Sequence, residues 1–377
     1  MENLQLTEKL NKPSILDLEK EDLNKIVAES GEKPYRAEQL WRSIYKECNL
    51  DFSEITTLSK NFRNFLSTKF RIGTLEKKIH INSIDSSTTK LLFGLNDGEL
   101  IESVLMRYTS DYGKKGRKTA CISTQAGCAL GCTFCATGQQ GFRRNLTSGE
   151  IIEQVLQLQK IALKEDLLEV EQGKRKKGEI QGITNIVYMG MGEPLANYKN
   201  TIKSVKNVID NSGINIGSRH ITISTVGLVP KIKKLSKEKL QINLAISLHA
   251  PDNKTRSETM PVNKRFPIEE LIDVCHYYVE QTNRRIFFEY ILLEDQNDSI
   301  SNAEKLGELL NGLHCHVNLI PVNPTTNGVY GRTDDNANRL FQGVLKRFGI
   351  PSTIRVEKGI DINAGCGQLR ERVLSTN

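Results

Sequence analysis

The stretch Cys128-Ala-Leu-Gly-Cys132-Thr-Phe-Cys135 decides the interpretation of this chain. Its three cysteines are separated by three residues and then by two, so one short loop supplies three thiolates. A cluster of four irons and four sulfides normally takes one protein thiolate per iron, so three cysteines leave one iron free to bind a small molecule. Structural zinc sites need four ligands, and no second CxxC motif and no histidine lies within thirty residues on either side. The spacing therefore favours an iron-sulfur centre over zinc.

Four further motifs accompany this loop. They are Cys121-Ile-Ser-Thr-Gln-Ala-Gly127, Ala136-Thr-Gly-Gln-Gln-Gly-Phe-Arg-Arg-Asn-Leu146, Met189-Gly-Met-Gly-Glu-Pro194 and Ala364-Gly-Cys-Gly-Gln-Leu369. Together with the cysteine loop they resemble the RlmN/Cfr family of radical S-adenosylmethionine (SAM) enzymes, and the resemblance covers nearly the whole chain. It implies one [4Fe-4S] cluster on Cys128, Cys132 and Cys135. It also implies that SAM chelates the open iron through its amino and carboxylate groups, with two SAM molecules used per turnover.

Length and composition fit a cytoplasmic enzyme with two folding units. The chain has 377 residues, of which 38% are apolar and 26% charged. No stretch approaches the roughly 18 apolar residues of a membrane span, and the N-terminus has neither the basic start nor the apolar core of a secretory signal. We therefore expect no membrane partner. Eight cysteines in a chain of this length, four of them within residues 121–135, indicate metal or redox chemistry rather than disulfide bridges.

The positive charge is gathered in short runs. The formal net charge is +7, and basic residues cluster at 114–118, 143–144, 174–177 and 231–239. Such patches suit a polyanionic partner. Any single run is better explained as a solvated loop, and only the coincidence of these runs with the family motifs favours RNA.

The pattern of apolar residues predicts an α/β protein, a partial (β/α)6 TIM-like barrel of the radical SAM type. Residues 1–75 form a small helical domain with helices near 16–30, 35–47 and 58–70, and residues 76–110 form a β-meander linker that carries Glu102. The core spans 111–360, and a C-terminal segment, 361–377, carries Cys366. The core strands are expected at 119–123, 183–189, 220–224, 242–248, 285–292 and 316–321. The resemblance implies that the helical domain is a helix-hairpin-helix-like RNA-binding accessory.

Two local features refine this plan. The sequence Thr147-Ser-Gly-Glu150 has the spacing of a capping box and predicts a helix start just after the cysteine loop. The strongly charged segment 164–178 is predicted to be an exposed insertion. Cys48, Cys275 and Cys315 lie in apolar contexts and are expected to pack in the core.

Polar residues follow successive predicted strands, where ligands bind in parallel α/β proteins. Glycines in Gly190-Met-Gly192 permit close backbone approach, and Glu193 can accept hydrogen bonds from a cationic amine. Taken singly, each of these residues is more simply explained as a turn, a cap or a satisfied core group. The resemblance implies a cofactor-binding set made of Gly192, Glu193, Ser224, Ser247, Leu248, His249 and Asn323.

The resemblance also assigns the chemistry. Cys366 would take the methyl group of one SAM by nucleophilic displacement and form S-methylcysteine. A second SAM, cleaved reductively at the cluster, would give a 5′-deoxyadenosyl radical that removes hydrogen from this methyl, and the resulting carbon radical would add to adenine. Glu102 would be the proton acceptor. Cys121 would release the product by forming a transient disulfide with Cys366.

The predicted function is methylation of C2 of an adenosine in 23S rRNA, and C2 of adenosine 37 in tRNA, with electrons from a cellular donor that the sequence does not identify. A Cfr-type enzyme that methylates C8 is the alternative within the family. An alternative from another class is a zinc-stabilised RNA-binding protein without catalysis.

Overall fold

One continuous sheet organises the chain. The computed structural model describes residues 12–108, 116–323, 330–356 and 358–369. The outer ends of the predicted regions 1–75 and 361–377, the boundary between 76–110 and 111–360, and residues 114 and 115 of a basic run lie outside these ranges. In chain order the strands are β1 (Glu76–Asn82), β2 (Thr88–Gly94), β3 (Leu100–Tyr108), β4 (Arg117–Cys121), β5 (Gln125–Gly127), β6 (Phe142–Asn145), β7 (Asn185–Tyr188), β8 (Ile221–Thr225), β9 (Asn243–Ser247), β10 (Ile286–Leu292), β11 (Cys315–Pro321) and β12 (Ser352–Ile354).

The strand order explains why the polar strand ends meet. Ten strands follow the order β1-β2-β3-β4-β7-β8-β9-β10-β11-β12, and β5 pairs with β6 as a separate ribbon. From β4 to β12 all neighbours are parallel, so their carboxyl ends share one edge. This open parallel arrangement confirms the predicted partial barrel and its six strands. The short strand β12 was not predicted, because three residues carry too little periodicity to be recognised.

Helices alternate with the parallel strands and cover them with apolar residues. They are α1 (Lys20–Glu29), α2 (Tyr35–Tyr45), α3 (Lys60–Lys69), α4 (Ala136–Gln139), α5 (Ser148–Glu171), α6 (Tyr198–Ile209), α7 (Val229–Leu235), α8 (Asn253–Thr259), α9 (Ile268–Thr282), α10 (Ile300–Leu309) and α11 (Asp335–Arg347). Short 3-10 helices lie at Ile15–Asp17, Phe52–Glu54, Lys177–Glu179, Ser218–His220, Pro261–Lys264 and Ile360–Ile362. In the described part of the chain, none of the helices combines the length and apolar character needed to cross a membrane.

The predicted capping box is present at the start of α5. The Thr147 hydroxyl accepts a hydrogen bond from the Glu150 N–H, and the Glu150 carboxylate accepts one from the Thr147 N–H. Asp17 of the N-terminal region adds a second cap, because its carboxylate accepts hydrogen bonds from the Gly149 N–H at 2.7 Å and the Ser148 hydroxyl at 3.0 Å. The helix that follows the cysteine loop is therefore fixed at its first turn by two parts of the chain.

Two expectations differ from the structure. The meander β1 to β3 has the predicted strands and turns, but it is not a separate linker, because β3 pairs with β4 and extends the central sheet. The segment 164–178 is not an insertion throughout. Helix α5 continues to Glu171, and Asp166 is buried there, where it accepts hydrogen bonds from Lys118 Nζ and from the N–H groups of Gln181 and Gly182. The charged sequence of 164–178 predicted exposure, although Asp166 within it is buried and hydrogen-bonded.

A buried carboxylate joins the helical region to the core. Glu153 of α5 is fully buried, and it accepts hydrogen bonds from the Thr74 N–H at 2.7 Å, the Thr74 hydroxyl at 2.9 Å and the Leu75 N–H at 3.1 Å. Thr74 and Leu75 connect α3 to β1. This connection places the N-terminal helices against the helix that starts beside the cysteine loop.

We predict that Glu153→Ala lowers the free energy of unfolding by about 3 kcal/mol, because buried donors lose their acceptor and each costs about 1–3 kcal/mol. Urea unfolding of the reduced, metal-free chain measures the change. Glu171→Ala is the matched control, since Glu171 is exposed at the end of the same helix. Equal urea midpoints for the two variants would contradict this account of the junction.

Candidate active site

The cysteine loop starts directly beyond β4 and β5 and is held by its backbone. The Cys128 N–H donates to the Gly141 carbonyl at 2.9 Å, and the Thr133 N–H donates to the Thr259 carbonyl at 3.0 Å. Gly127 has a φ of +69°, and a Cβ there would lie 2.0 Å from the Gly141 carbonyl oxygen. Glycine is therefore required for the β5–β6 ribbon to close against the loop.

The cysteines of the loop affect one another's ionisation. Burial, with a smaller contribution from the charge of Cys135, raises the pKa of Cys128 to about 12. Burial also raises the pKa of Cys132, with further contributions from Cys135 and Cys128. Thiols that oppose one another's ionisation need a metal's positive charge to become thiolates together. This arrangement fits three ligands of one cluster.

The described residues do not form a closed site for a single metal ion such as zinc. Among residues 12–108, 116–323, 330–356 and 358–369, no three His, Cys, Asp or Glu side chains converge closely enough to hold one metal ion. The zinc hypothesis requires such a set with four members. The described residues do not supply it.

The C-terminal segment is clamped to the helix that begins after Cys135. In α4 the Ala136 N–H donates to the Gly367 carbonyl at 2.8 Å, and the Thr137 hydroxyl donates to the Leu369 carbonyl at 2.6 Å. On the other side, Asn323 Nδ2 donates to the Cys366 carbonyl at 3.2 Å. These contacts place the exposed thiol-bearing residue Cys366 beside the cysteine loop.

The glycines after β7 pack against protein. A Cβ at Gly190 would lie 2.7 Å from the Ile122 carbonyl group, and a Cβ at Gly192, whose φ is +96°, would lie 2.4 Å from Gln125 Cβ. The sequence predicted a close backbone approach at these positions. In the structure, this approach is made to the chain between β4 and β5, and it seats the turn that carries Glu193.

Glu193 is a buried carboxylate, and among the described residues no cationic side chain forms an ion pair with it. Its two oxygens accept from the Leu195 N–H and the Val226 N–H, each at 2.9 Å, and its own N–H donates to Gln125 Oε1 at 2.8 Å. Burial raises the pKa of Glu193 to about 7, although the backbone hydrogen bonds oppose the shift. A cationic group that entered beside it would restore the charged form.

His249 follows β9 in a strained but well-held conformation. Its φ is +57°, which is uncommon for a residue other than glycine. Its Nδ1 accepts from the Ile291 N–H at 3.0 Å, its carbonyl accepts from Asn297 Nδ2 at 2.8 Å, and its ring packs edge-on against Phe134 at 4.8 Å. Burial and the nearby Arg256 lower the pKa of His249 to about 3. The imidazole is therefore neutral, with its proton on Nε2.

These groups line a first cavity at the carboxyl ends of β7 to β10. Of the sequence-predicted set, it is lined by Cys135, Gly192, Glu193, Ser224, Ser247, His249 and Cys366. Leu248 does not line this cavity, and its side chain is fully buried in the apolar core. The structure thus brings most of the predicted cofactor-binding residues to one place.

A second cavity adjoins the first. Cys121, Asn323, Cys135 and Cys366 line it together with Val104 of β3, and Cys135 and Cys366 belong to both cavities. Asn323 Oδ1 is buried and has no hydrogen-bond partner among the described residues, so it can accept a donor from a ligand. Burial, together with the charge of Cys366, raises the pKa of Cys121 to about 12, so the ionisation of Cys121 responds to the charge of Cys366.

Arg355 was missed by the sequence analysis although it obeys the same rule as the other site residues. It directly follows β12, lines both cavities, and pairs with the buried Glu289 at 3.3 Å. Asn318 Nδ2 also donates to Glu289 at 2.9 Å. Recognition of β12 as a strand would have identified Arg355 as a residue at a strand end. It places a positive charge next to Cys366.

Glu102 lies at the side of this site. It occupies β3 two residues before Val104 and therefore faces the same side of the sheet. The Glu102 side chain is 4% exposed and pairs with Lys90 of β2 at 3.0 Å, and Lys90 Nζ also donates to the Asn363 carbonyl at 3.3 Å. Lys90, another residue that the sequence did not single out, connects Glu102 to the segment that carries Cys366.

Comparisons with known proteins agree with this geometry. The sequence model of the Radical SAM superfamily matches residues 122–306, which include the cysteine loop and strands β7 to β10. The model of the ribosomal RNA large subunit methyltransferase N-terminal domain matches residues 14–72, which contain helices α1 to α3.

Similar proteins cover almost the whole chain. The chain is 47% identical over 367 residues to the probable dual-specificity RNA methyltransferase RlmN of Alkaliphilus oremlandii, covering 97% of this chain and 99% of that protein. It is 43% identical over 360 residues to the dual-specificity RNA methyltransferase RlmN 1 of Myxococcus xanthus, covering 96% and 95%. The crystal structure of a radical SAM methyltransferase from Sphaerobacter thermophilus superposes with a TM-score of 0.86 at 43% identity, covering 95% of this chain and 99% of that one.

The burial of the cysteines predicts a graded reactivity. In the metal-free native chain at pH 8, we expect iodoacetamide to modify the exposed Cys366 first and Cys121 at least about tenfold more slowly, because its thiolate is disfavoured. Cys275, which is fully buried, should react only in urea. Peptide mass spectrometry over time measures each rate. Labelling of Cys275 as fast as Cys366 would contradict the described burial.

Proposed function

The chain belongs to the RlmN family of radical SAM RNA methyltransferases, and from this membership we propose that it methylates C2 of an adenosine in 23S rRNA and C2 of adenosine 37 in tRNA. Relatives whose names state dual specificity match this chain over nearly its full length. The C2 position and the two RNA substrates are the parts of the proposal that need direct measurement.

The observation that carries the proposal is the position of Cys366. It is exposed, and it lines both the cavity with the cofactor-binding set and the cavity with Cys121. A thiol on a shared wall can receive a group from one side and pass it to a substrate on the other. This is what transfer to an adenine carbon requires, because that carbon is not nucleophilic enough to take a methyl group from a sulfonium directly.

The residues present fit the cofactors that the family implies. Cys128, Cys132 and Cys135 supply three thiols in one loop whose charges act on one another, and the orphaned Asn323 Oδ1 offers an acceptor at the wall of the second cavity. A bound [4Fe-4S] cluster with SAM would supply one-electron cleavage of a carbon–sulfur bond. We assign the cluster to the three cysteines and SAM to the first cavity.

Within the first cavity the protein's role is binding and orientation. Glu193, buried and poised with a raised pKa, would hold the ammonium group of SAM as a carboxylate. The neutral His249 would donate from Nε2, and the hydroxyls of Ser224 and Ser247 would serve the ribose and carboxylate. Asn323, which lines the adjoining second cavity, would accept from the adenosine part. Leu248, fully buried, would contribute through its backbone only.

Around the second cavity the protein handles the transferred carbon. Cys366 would take a methyl group on its sulfur and carry it as S-methylcysteine. After a hydrogen is removed from this methyl and the carbon bonds to adenine C2, Glu102 would accept the C2 proton. The Cys121 thiolate would then attack the Cys366 sulfur and form a disulfide, and the carbon–sulfur bond would break with its electron pair on carbon, which takes up a proton and becomes the new methyl group. The unpaired electron left by the radical addition would return to the iron-sulfur centre. A cellular thiol reductant must later reduce it.

The surroundings of the second cavity suit an RNA substrate. Tyr108 lines the cavity, with the Arg117 guanidinium 4.1 Å and Lys358 Nζ 5.1 Å from its ring centroid. Arg355 adds a third cation on the same wall. Clustered cations beside an aromatic ring bind phosphates and stack on bases.

The one-electron donor is a cellular partner of unassigned identity, and a cytoplasmic location stays a prediction.

The site of methylation can be tested with deuterated RNA. We predict that the target adenosine loses deuterium from C2 when it is methylated, because the C2 hydrogen must leave for the ring to regain aromaticity, while deuterium at C8 is retained. Mass spectrometry of nucleosides from 23S rRNA and tRNA substrates measures both labels. Loss of the C8 label with retention at C2 would replace the proposal with a Cfr-type activity.

The role of Cys121 can be tested by trapping. In Cys121→Ala, we expect methylation to stop after the carbon has bonded to adenine, so RNA stays covalently attached to the protein through Cys366. A denaturing gel should show a ribonuclease-sensitive, slowly migrating band, which the double variant Cys121→Ala, Cys366→Ala lacks. Cys275→Ala is the control, since that buried cysteine lies in α9. Normal product release by Cys121→Ala would exclude the resolving role.

A further inference from the structure

Arg256 of α8 is a fully buried cation, and its hydrogen-bond partners among the described residues are all uncharged. Its guanidinium donates to the carbonyls of Val226 at 2.7 Å, Leu248 at 3.2 Å, Ser247 at 3.3 Å and Phe266 at 3.5 Å, and to Asn263 Oδ1 at 2.8 Å. Among the ion pairs of the described residues, none includes Arg256. A buried charge is unfavourable unless another charge compensates it. These hydrogen bonds satisfy the N–H donors of Arg256, but they supply no negative charge to compensate its positive charge.

The cysteine loop lies directly against this position. The Thr133 N–H donates to the Thr259 carbonyl at the end of α8, three residues after Arg256. Cys132 packs in one apolar cluster with Met260, which follows the helix. Burial lowers the pKa of Arg256 to about 10, and among charged groups the Cys132 thiolate has the largest opposing effect. The loop that holds the thiolates can therefore supply negative charge that acts on Arg256.

We propose that Arg256 is the buried counter-charge of the iron-sulfur centre and that its positive charge makes this centre easier to reduce. Three thiolates give a four-iron centre a net negative charge that grows by one on reduction. In a buried environment of low dielectric, a fixed cation behind Cys132 stabilises the reduced form more than the oxidised form. The inference rests on the cluster assignment proposed above and is independent of which RNA atom is methylated.

Arg256 also has a structural role that any test must separate from its charge. Its acceptors Ser247, Leu248 and Val226 belong to the strand ends that line the first cavity, so the guanidinium braces those loops. A merely structural role would change stability or cofactor binding without moving the potential of a fully loaded centre. The midpoint potential of the centre is therefore the informative readout.

The experiment uses the full-length chain, reconstituted anaerobically, without RNA or SAM. The iron content, the electron paramagnetic resonance spectrum and the midpoint potential are measured for the wild type and for Arg256→Gln, Arg256→Lys and Asn263→Asp. The Asp variant places a carboxylate on the guanidinium through the existing 2.8 Å contact, so it neutralises the charge of Arg256 without removing its side chain. It also gives up the hydrogen bonds that Asn263 Nδ2 donates to Asn253 and Ser257, so its iron content is compared with that of the wild type before its potential is interpreted. Arg265→Gln removes an exposed positive charge nine residues away and is the matched control.

We expect Arg256→Gln and Asn263→Asp to reduce at more negative potentials by at least a tenfold change in the reduction equilibrium, about 59 mV for one electron. Arg256→Lys and Arg265→Gln should stay close to the wild type. If Arg256→Gln does not fold, the potential of Asn263→Asp decides the question. A wild-type potential in the loaded neutralised variants would overturn the inference while leaving the proposed function intact. A wild-type chain that holds no four-iron centre would overturn both.

Discussion

Two hydrogen bonds between helix α4 and the C-terminal segment set the geometry on which the site depends. They join the Ala136 N–H to the Gly367 carbonyl and the Thr137 hydroxyl to the Leu369 carbonyl. Because α4 starts immediately after Cys135, the last cysteine of the loop and Cys366 are fixed to the same short piece of structure. A residue 231 positions later in sequence is thereby placed where two cavities meet. Without this clamp, the first cavity, where we propose that SAM binds, would lack the thiol that we propose accepts the methyl group.

Two buried charged side chains at the site would each be neutralised by a ligand of opposite charge. Glu193 is a buried carboxylate that a cationic ligand would neutralise, and Arg256 is a buried cation that an anionic centre would neutralise. In contrast, Arg355 is paired with Glu289, and Lys90 with Glu102. Buried charges without protein partners are unfavourable in the empty site. Binding of cluster and cofactor should therefore stabilise the fold as well as enable the reaction.

The sequence predicted what depends on local pattern and on strand-end rules. The six core strands, the meander, the capping box at Thr147 and the polar residues that line the first cavity all follow from periodicity or from recognisable motifs. It could not predict β12, whose three residues carry too little pattern, and so it missed Arg355. Nor could it predict that Arg256 is buried, because an arginine in the polar sequence Asn-Lys-Thr-Arg-Ser has the pattern of an exposed helix. Arg256 is buried because residues distant in sequence pack around it.

In the proposed function, Cys366 carries the methyl group between the two cavities. Incubation of the reconstituted protein with SAM deuterated in its methyl group, without RNA, tests it most directly when followed by peptide mass spectrometry. We expect one labelled methyl on the sulfur of Cys366 and none on Cys121, and we expect the label to pass into RNA once RNA and reductant are added. Labelled RNA produced by a chain whose Cys366 never acquires the methyl would contradict the account.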